Sequence, residues 1–159
     1  MADLINPQKA REAFETVCAV LENRNWQYQK SEEKLLIACS ARGEDLPMNL
    51  NIRVNEDRSA VVIFSYMPYN VQQDKLLDMA LAVAAVNNRL MSGCFDLDLT
   101  TGRIYFRITN CYVDSQISGA VYDDMLLTAC WTIDQYNDKF LMISKGSLTV
   151  AQFVESLDD

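Results

Sequence analysis

The sequence predicts an α+β fold: an antiparallel, twisted sheet of about five to six strands with helices packed on one face. Three observations predict it. Met48, Leu50, Ile52 and Val54 alternate with Asn49, Asn51, Arg53 and Asn55, the period-two signature of a strand with one buried and one wet face. A long apolar helix, Val71 to Met91 with an unbroken apolar run from Met79 to Val86, leads directly into a β-hairpin at residues 94–108. Helical segments rich in apolar residues flank these elements, near the start of the chain and again from Ala120 to Ile143.

Asn6 can cap the first helix, and Pro7 suits its first position because proline has no N–H to leave unpaired. Ala10, Ala13, Phe14, Val17 and Leu21 form its apolar face, and Asn23-Arg24-Asn25 ends it. A short strand is predicted at Trp26–Lys30, a turn at Ser31-Glu32-Glu33, and a second strand from Lys34 to Ala41. Arg42-Gly43-Glu44-Asp45 and Pro47 break the chain before the alternating third strand. Glu56-Asp57 turns it into a fourth strand, Ser59 to Tyr66, which Met67-Pro68-Tyr69 ends. Asn70 and Gln73 have the spacing of a capping box for the long helix. The all-round apolar middle of that helix is expected to be covered by the sheet on one side and by another helix or a partner on the other.

In the hairpin, pairing Leu97 with Ile104 and Asp98 with Arg103 gathers Phe95, Leu97, Ile104, Phe106 and Ile108 on one face. It leaves Asp96, Asp98, Arg103 and Arg107 on the other, and a one-residue slip would scramble both sets. Gly102 supplies a turn residue with positive φ. The third helix, Ala120 to Ile143, is closed by Lys145-Gly146. Ser147 can cap a last short helix over residues 147–157.

The length of 159 residues suits a single domain over residues 1–159. The net charge of −8 is spread, with 9 basic and 12 acidic side chains in residues 1–80 and 5 and 10 in residues 81–159. No basic stripe is legible in the linear sequence, which argues against nucleic acid and against an anionic membrane surface as partners. The start, Met1 to Pro7, has neither the basic region nor the apolar run of a signal peptide. The five cysteines are odd in number and scattered, without a C-x-x-C pair, as in a reducing compartment. The expectation is a cytoplasmic protein with free thiols.

The chain has no histidine, so Ser-His and Cys-His catalysis and the commonest metal ligand are absent. No phosphate loop, zinc set or calcium loop is present. Asp96 and Asp98 point the same way from one strand and could share a proton or hold a cation, but a surface pair facing two arginines accounts for them. Asp123-Asp124 complements the dipole at the start of the third helix. No catalytic residue, metal site or cofactor is therefore assigned. Tyr66, Met67 and Tyr69, at a loop tip, and Trp131, on the third helix, are the candidate partner contacts, with the alternative that the loop-tip side chains fold back over the core. Asn87 and Asn88 could read a ligand, or hydrogen-bond loop backbone at the helix end.

The helix end Val86-Asn87-Asn88-Arg89-Leu90, followed by Gly93-Cys94-Phe95-Asp96-Leu97-Asp98 and by Gly102-Arg103-Ile104-Tyr105-Phe106-Arg107, resembles the YbjN domain family of bacterial proteins. The fold of that family resembles the type III secretion chaperones: a helix, antiparallel strands, a crossing helix, a hairpin and a closing helix. The element order matches over residues 7–143. The YbjN family is labelled a candidate sensory transduction regulator. The secretion chaperones are small, acidic, often dimeric proteins that bind extended segments of other proteins. The resemblance implies a non-enzymatic protein-binding or regulatory domain, working through a protein partner or as a homodimer. A dedicated secretion chaperone is the first alternative, and a small-molecule-binding domain or carboxylate-only enzyme the second. The strand at 26–30 and the helix at 147–157 depart from a minimal secretion chaperone, and either could cover a groove or a dimer surface.

Overall fold

The computed structural model describes residues 5–158. Met1-Ala2-Asp3-Leu4, part of the stretch read as lacking a signal peptide, lies outside them. Helix α1 (Pro7–Asn23) opens the fold, with the Asn6 side chain accepting from the Lys9 N–H at 3.0 Å and Pro7 in the first turn. Strands β1 (Tyr28–Ser31), β2 (Leu36–Arg42), β3 (Pro47–Asn55) and β4 (Ala60–Asn70) follow. Helix α2 (Leu76–Asn87) then crosses to the hairpin β5 (Cys94–Leu97) and β6 (Arg103–Cys111). Helices α3 (Gly119–Ser144) and α4 (Val150–Ser156) complete the order. The six strands form one sheet in the order β1-β2-β3-β4-β6-β5, antiparallel at every pairing. The α+β class, the six strands and the helices on one face agree with the prediction.

Strand periodicity explains which face the helices cover. Ile37, Cys39, Met48, Leu50, Ile52, Val54, Val61, Ile63, Phe95, Ile104, Phe106 and Ile108 are buried, and they align across the ladder through pairs such as Ile37–Ile52, Ile52–Ile63 and Ile63–Ile108. Phe14, Val17 and Leu21 of α1, Met79, Val83 and Val86 of α2, and Leu126, Ile133 and Phe140 of α3 pack against them in one core. Phe153 of α4 is fully buried against Tyr136 and Phe140, whose ring centroids lie 6.5 and 5.9 Å away. The hairpin has the expected register: Leu97 pairs with Ile104, and the Asp98 N–H donates to the Arg103 carbonyl at 2.8 Å.

Several boundaries differ from the sequence reading. Strand β2 starts at Leu36 because Leu35 adopts φ +48, a left-handed conformation that no strand residue can keep. Strand β4 does not end at Tyr66 but runs on to Asn70. The ladder shifts register between Tyr66 and Asn70, and Pro68 sits in that irregularity on the solvent side, where its missing N–H breaks no regular pair. The predicted Asn70–Gln73 capping box is not formed. Asn70 pairs with Arg103, the Val71 N–H donates to the Gly102 carbonyl at 2.8 Å, and a short 3₁₀ turn (Gln73–Lys75) precedes α2. Gly102 permits that approach: its φ is +70, and a Cβ there would lie 2.2 Å from the Val71 carbonyl oxygen. Thr149, not Ser147, caps α4 in a capping box with Gln152, and the Ser147 hydroxyl donates to the Met142 carbonyl.

Within one chain α2 keeps an apolar stripe outward, on the side where a second helix or a partner is expected. Leu77 and Leu81 are 73% and 53% exposed, and Ala84 on the same stripe is exposed. The sheet edge, α3 and α4 cover the rest of this helix and leave that stripe open.

Candidate partner-binding surface

The outward positions of the strands make a broad face that no described helix covers. On β1 to β3 it is polar: Gln29, Ala38, Ser40, Asn49 and Asn51, with the Ser40 hydroxyl donating to Asn49 Oδ1 at 2.9 Å. On β4 and β6 it becomes aromatic and basic. Tyr66 lies directly opposite Tyr105, with ring centroids 5.1 Å apart, and meets Phe64 edge-on at 5.8 Å. The Arg103 guanidinium sits 5.3 Å over the Tyr66 ring, a cation–π contact at an exposed site. Phe64 stands opposite Arg107, whose Nε donates to Asp96 Oδ2 at 2.9 Å. That carboxylate raises the Arg107 pKa, and burial raises that of Tyr105.

The surface is positively biased. Arg42, Arg53, Arg103 and Arg107 project from it against two outward carboxylates, Asp96 and Asp98, in a chain whose net charge is −8. Asp98, grouped with this face by its strand parity, closes its own turn. It accepts from the Thr101 hydroxyl at 2.6 Å and the Thr100 N–H at 2.8 Å, and the Thr101 hydroxyl bond is the main cause of its lowered pKa.

The neighbouring sheet edge is closed differently. The Asn87 side chain donates from Nδ2 to the Phe95 carbonyl at 2.9 Å and accepts from the Phe95 N–H at 2.8 Å. One amide thus stands in for a seventh strand at the middle of edge strand β5 and blocks backbone pairing there. Asn87 is a backbone partner in this structure, the simpler of its two sequence readings.

The four sequence-predicted contacts fall in three places. Tyr66 is on the open face, 41% exposed. Met67 and Tyr69 are not at a loop tip: they are strand residues facing inward, because β4 continues through them. Met67 is buried, and the Tyr69 hydroxyl donates to the Asn137 carbonyl of α3 at 2.8 Å. Trp131 is 71% exposed on α3, in the helical layer behind the sheet. The sequence reading missed Phe64, Tyr105 and Arg53. The available signal was the apolar and aromatic character of both parities in Ala60–Tyr69, which a one-sided strand does not need.

Three of the carboxylates singled out in the sequence have partners of their own. Asp96 is tied to Arg107 and Asp98 to its turn. Asp123 binds Arg24 in an open groove between α1 and α3, with Arg24 Nη2 donating to Oδ2 at 2.7 Å, and that bond lowers its pKa. Among the described residues no group of three or more His, Cys, Asp or Glu gathers to hold a metal ion. No described helix is long and apolar enough to cross a membrane. The five cysteines are free thiols, and burial pushes those of Cys39 and Cys130 up to about 11.

No family model and no curated protein matches the sequence. Solved structures match the fold. YbjN from E. coli, a candidate transcription regulator, superposes with a TM-score of 0.59 at 9% identity, over 79% of this chain and 92% of its own. The ExsC–ExsE complex contains a chain that superposes with a TM-score of 0.59 at 11% identity, over 81% of this chain and 93% of its own. The chain has the YbjN-like fold, which is also that of type III secretion chaperones. Identity this low carries the fold across and no residue roles.

Proposed function

We propose that this chain is a non-enzymatic protein-binding domain whose docking surface is the open face of the sheet. The observation that carries the reading is the row Phe64, Tyr66 and Tyr105, left facing solvent on a sheet whose other face is fully packed. Large aromatic groups held at the surface beside arginines are the usual anchors of protein interfaces. The fold neighbour from the ExsC–ExsE complex is itself found with a protein partner. A regulatory domain and a dedicated secretion chaperone are both compatible with such a face.

The test is a photo-crosslinking side chain placed at position 64 or 66, with position 131 as the comparison, in the native cell. Adducts from 64 and 66 that are missing from 131 support the reading. Adducts from 131 alone contradict it.

A second feature favours self-association. Leu77, Leu81 and Ala84 form an exposed stripe along α2, and a two-fold pairing is the commonest way to bury such a strip. We place the dimer contact there, with α4 as a partial cover from within the chain. Light scattering at micromolar concentration should give twice 18.1 kDa, falling to the single mass in Leu81→Glu. A wild-type mass of one chain at every concentration rejects the dimer.

A further inference from the structure

Charge sets the open sheet face apart from the rest of the molecule. Helices α1 and α3 carry seven carboxylates, Glu12, Glu15, Glu22, Asp123, Asp124, Asp134 and Asp138, against three cations, Lys9, Arg11 and Lys139. The sheet face presents Arg42, Arg53, Arg103 and Arg107 against two carboxylates, Asp96 and the turn residue Asp98. Among the described residues neither Arg42 nor Arg53 joins an ion pair, and Arg103 rests on a tyrosine ring rather than a carboxylate. Three of the four guanidinium charges on this face therefore have no bonded counter-charge.

Their spacing is regular. Arg103 and Arg107 are four residues apart on β6 with Tyr105 between them, so their side chains rise from the same face about 13 Å apart. Tyr66 stands beside Tyr105 and widens the apolar patch between the two charges. An extended polypeptide repeats its side chains on one side about every 7 Å. Laid along β6, it would place residues i and i+4 over the two arginines and residue i+2 over the tyrosine pair.

We propose that the occupant of this face is an extended acidic segment of a partner protein, with carboxylates at i and i+4 and an apolar or aromatic residue at i+2. The inference rests on the sheet face being the docking surface. A guanidinium meets a carboxylate in a two-pronged, charge-assisted geometry, which gives the arginines register as well as attraction. A long polyanion such as single-stranded nucleic acid also stacks on tyrosines and pairs with arginines. It would extend past the arginines onto the strand-end turns, where Glu44, Asp45, Glu56, Asp57 and Asp98 lie, and would be repelled there. A short segment stays within the basic patch.

The experiment is selection from a displayed library of random segments about twelve residues long, enough to cross the sheet when extended. The full chain is the bait, and a (dT)-oligonucleotide of about twelve nucleotides is titrated in parallel. The expected winners carry acid-x-apolar-x-acid. They should bind at least about tenfold more weakly to Arg103→Glu/Arg107→Glu, and more weakly to Arg53→Gln, with unchanged circular dichroism in both variants. Winners that are neutral or basic, yet are lost in Tyr66→Ala, would overturn the acidic occupant and keep the docking face. Winners indifferent to every sheet-face variant, or no winners at all, would overturn both. Binding of the oligonucleotide in preference to every segment, abolished by the arginine reversals, would replace the acidic segment with nucleic acid.

Discussion

Neighbouring residues on β4 and β6 live in different solvents. Ile63 and Phe106 are 1% and 0% exposed, while Tyr66 is 41% exposed and Arg107 lies open beside it. The two faces are built from the same strands and the same backbone bonds, yet one is closed by four helices and the other is left with aromatic rings and arginines on display. The contrast separates stability from recognition. Inward side chains are held by packing, so what they require is volume and shape. Outward side chains are held mostly by one another, through ring contacts and the Arg107–Asp96 pair, so they can change without unfolding the sheet and can respond to a partner.

The largest expected effect tests that separation. Phe106 is fully buried and packs edge-on against Phe95 at 5.2 Å, so Phe106→Ala should cost about 3–5 kcal/mol in denaturant unfolding. Tyr66→Ala, across the same sheet, should cost no more than about 1 kcal/mol. Equal losses would mean that the open face is part of the core. Asn87→Ala comes next. It strands the N–H and carbonyl of Phe95 and should cost about 1–3 kcal/mol, with faster hydrogen exchange at the Phe95 amide. An unchanged exchange rate would show that the edge is closed by something else.

The smallest effect depends on pH. The Asp98 carboxyl is held below its ordinary pKa, chiefly by the Thr101 hydroxyl. Its contribution is therefore present above the unfolded-state value and is lost as pH falls through the lowered folded value. Asp98→Ala should therefore lower stability modestly at neutral pH, flatten the acid limb, and converge with the wild type once pH falls below the lowered folded value. A change confined to alkaline pH would contradict the assignment.

The covered face was legible in the sequence because burial imposes a strict period: Met48 to Val54 and Phe95 to Ile108 each announce which parity points inward. The hairpin register followed from the same rule. The same parity shows that the other face is wet, but its aromatic patch is not legible, because it is assembled from strands distant in the chain. Tyr66 and Tyr105 become neighbours only when β6 inserts between β4 and β5, and no local pattern states that order. The same insertion pins Val71 to Gly102 and delays α2 until Leu76, which the run Val71 to Met91 conceals. Met67 and Tyr69 were misplaced because Pro68 reads as a strand end, whereas here it occupies a ladder irregularity on the solvent side. Arg53, Arg103 and Arg107 do share one wet face by strand parity alone, but parity does not show that Phe64, Tyr66 and Tyr105 stand among them.

The central claim, that a partner polypeptide lies on the open sheet face, is tested most directly by mapping amide chemical shifts of the isotopically labelled chain during titration with the segment recovered from the position 64 crosslink. The account predicts shifts concentrated at Arg53, Phe64, Tyr66, Tyr105 and Arg107, with Trp131 and Leu81 still. Shifts gathered on α2 and α3 over a silent sheet face would contradict it.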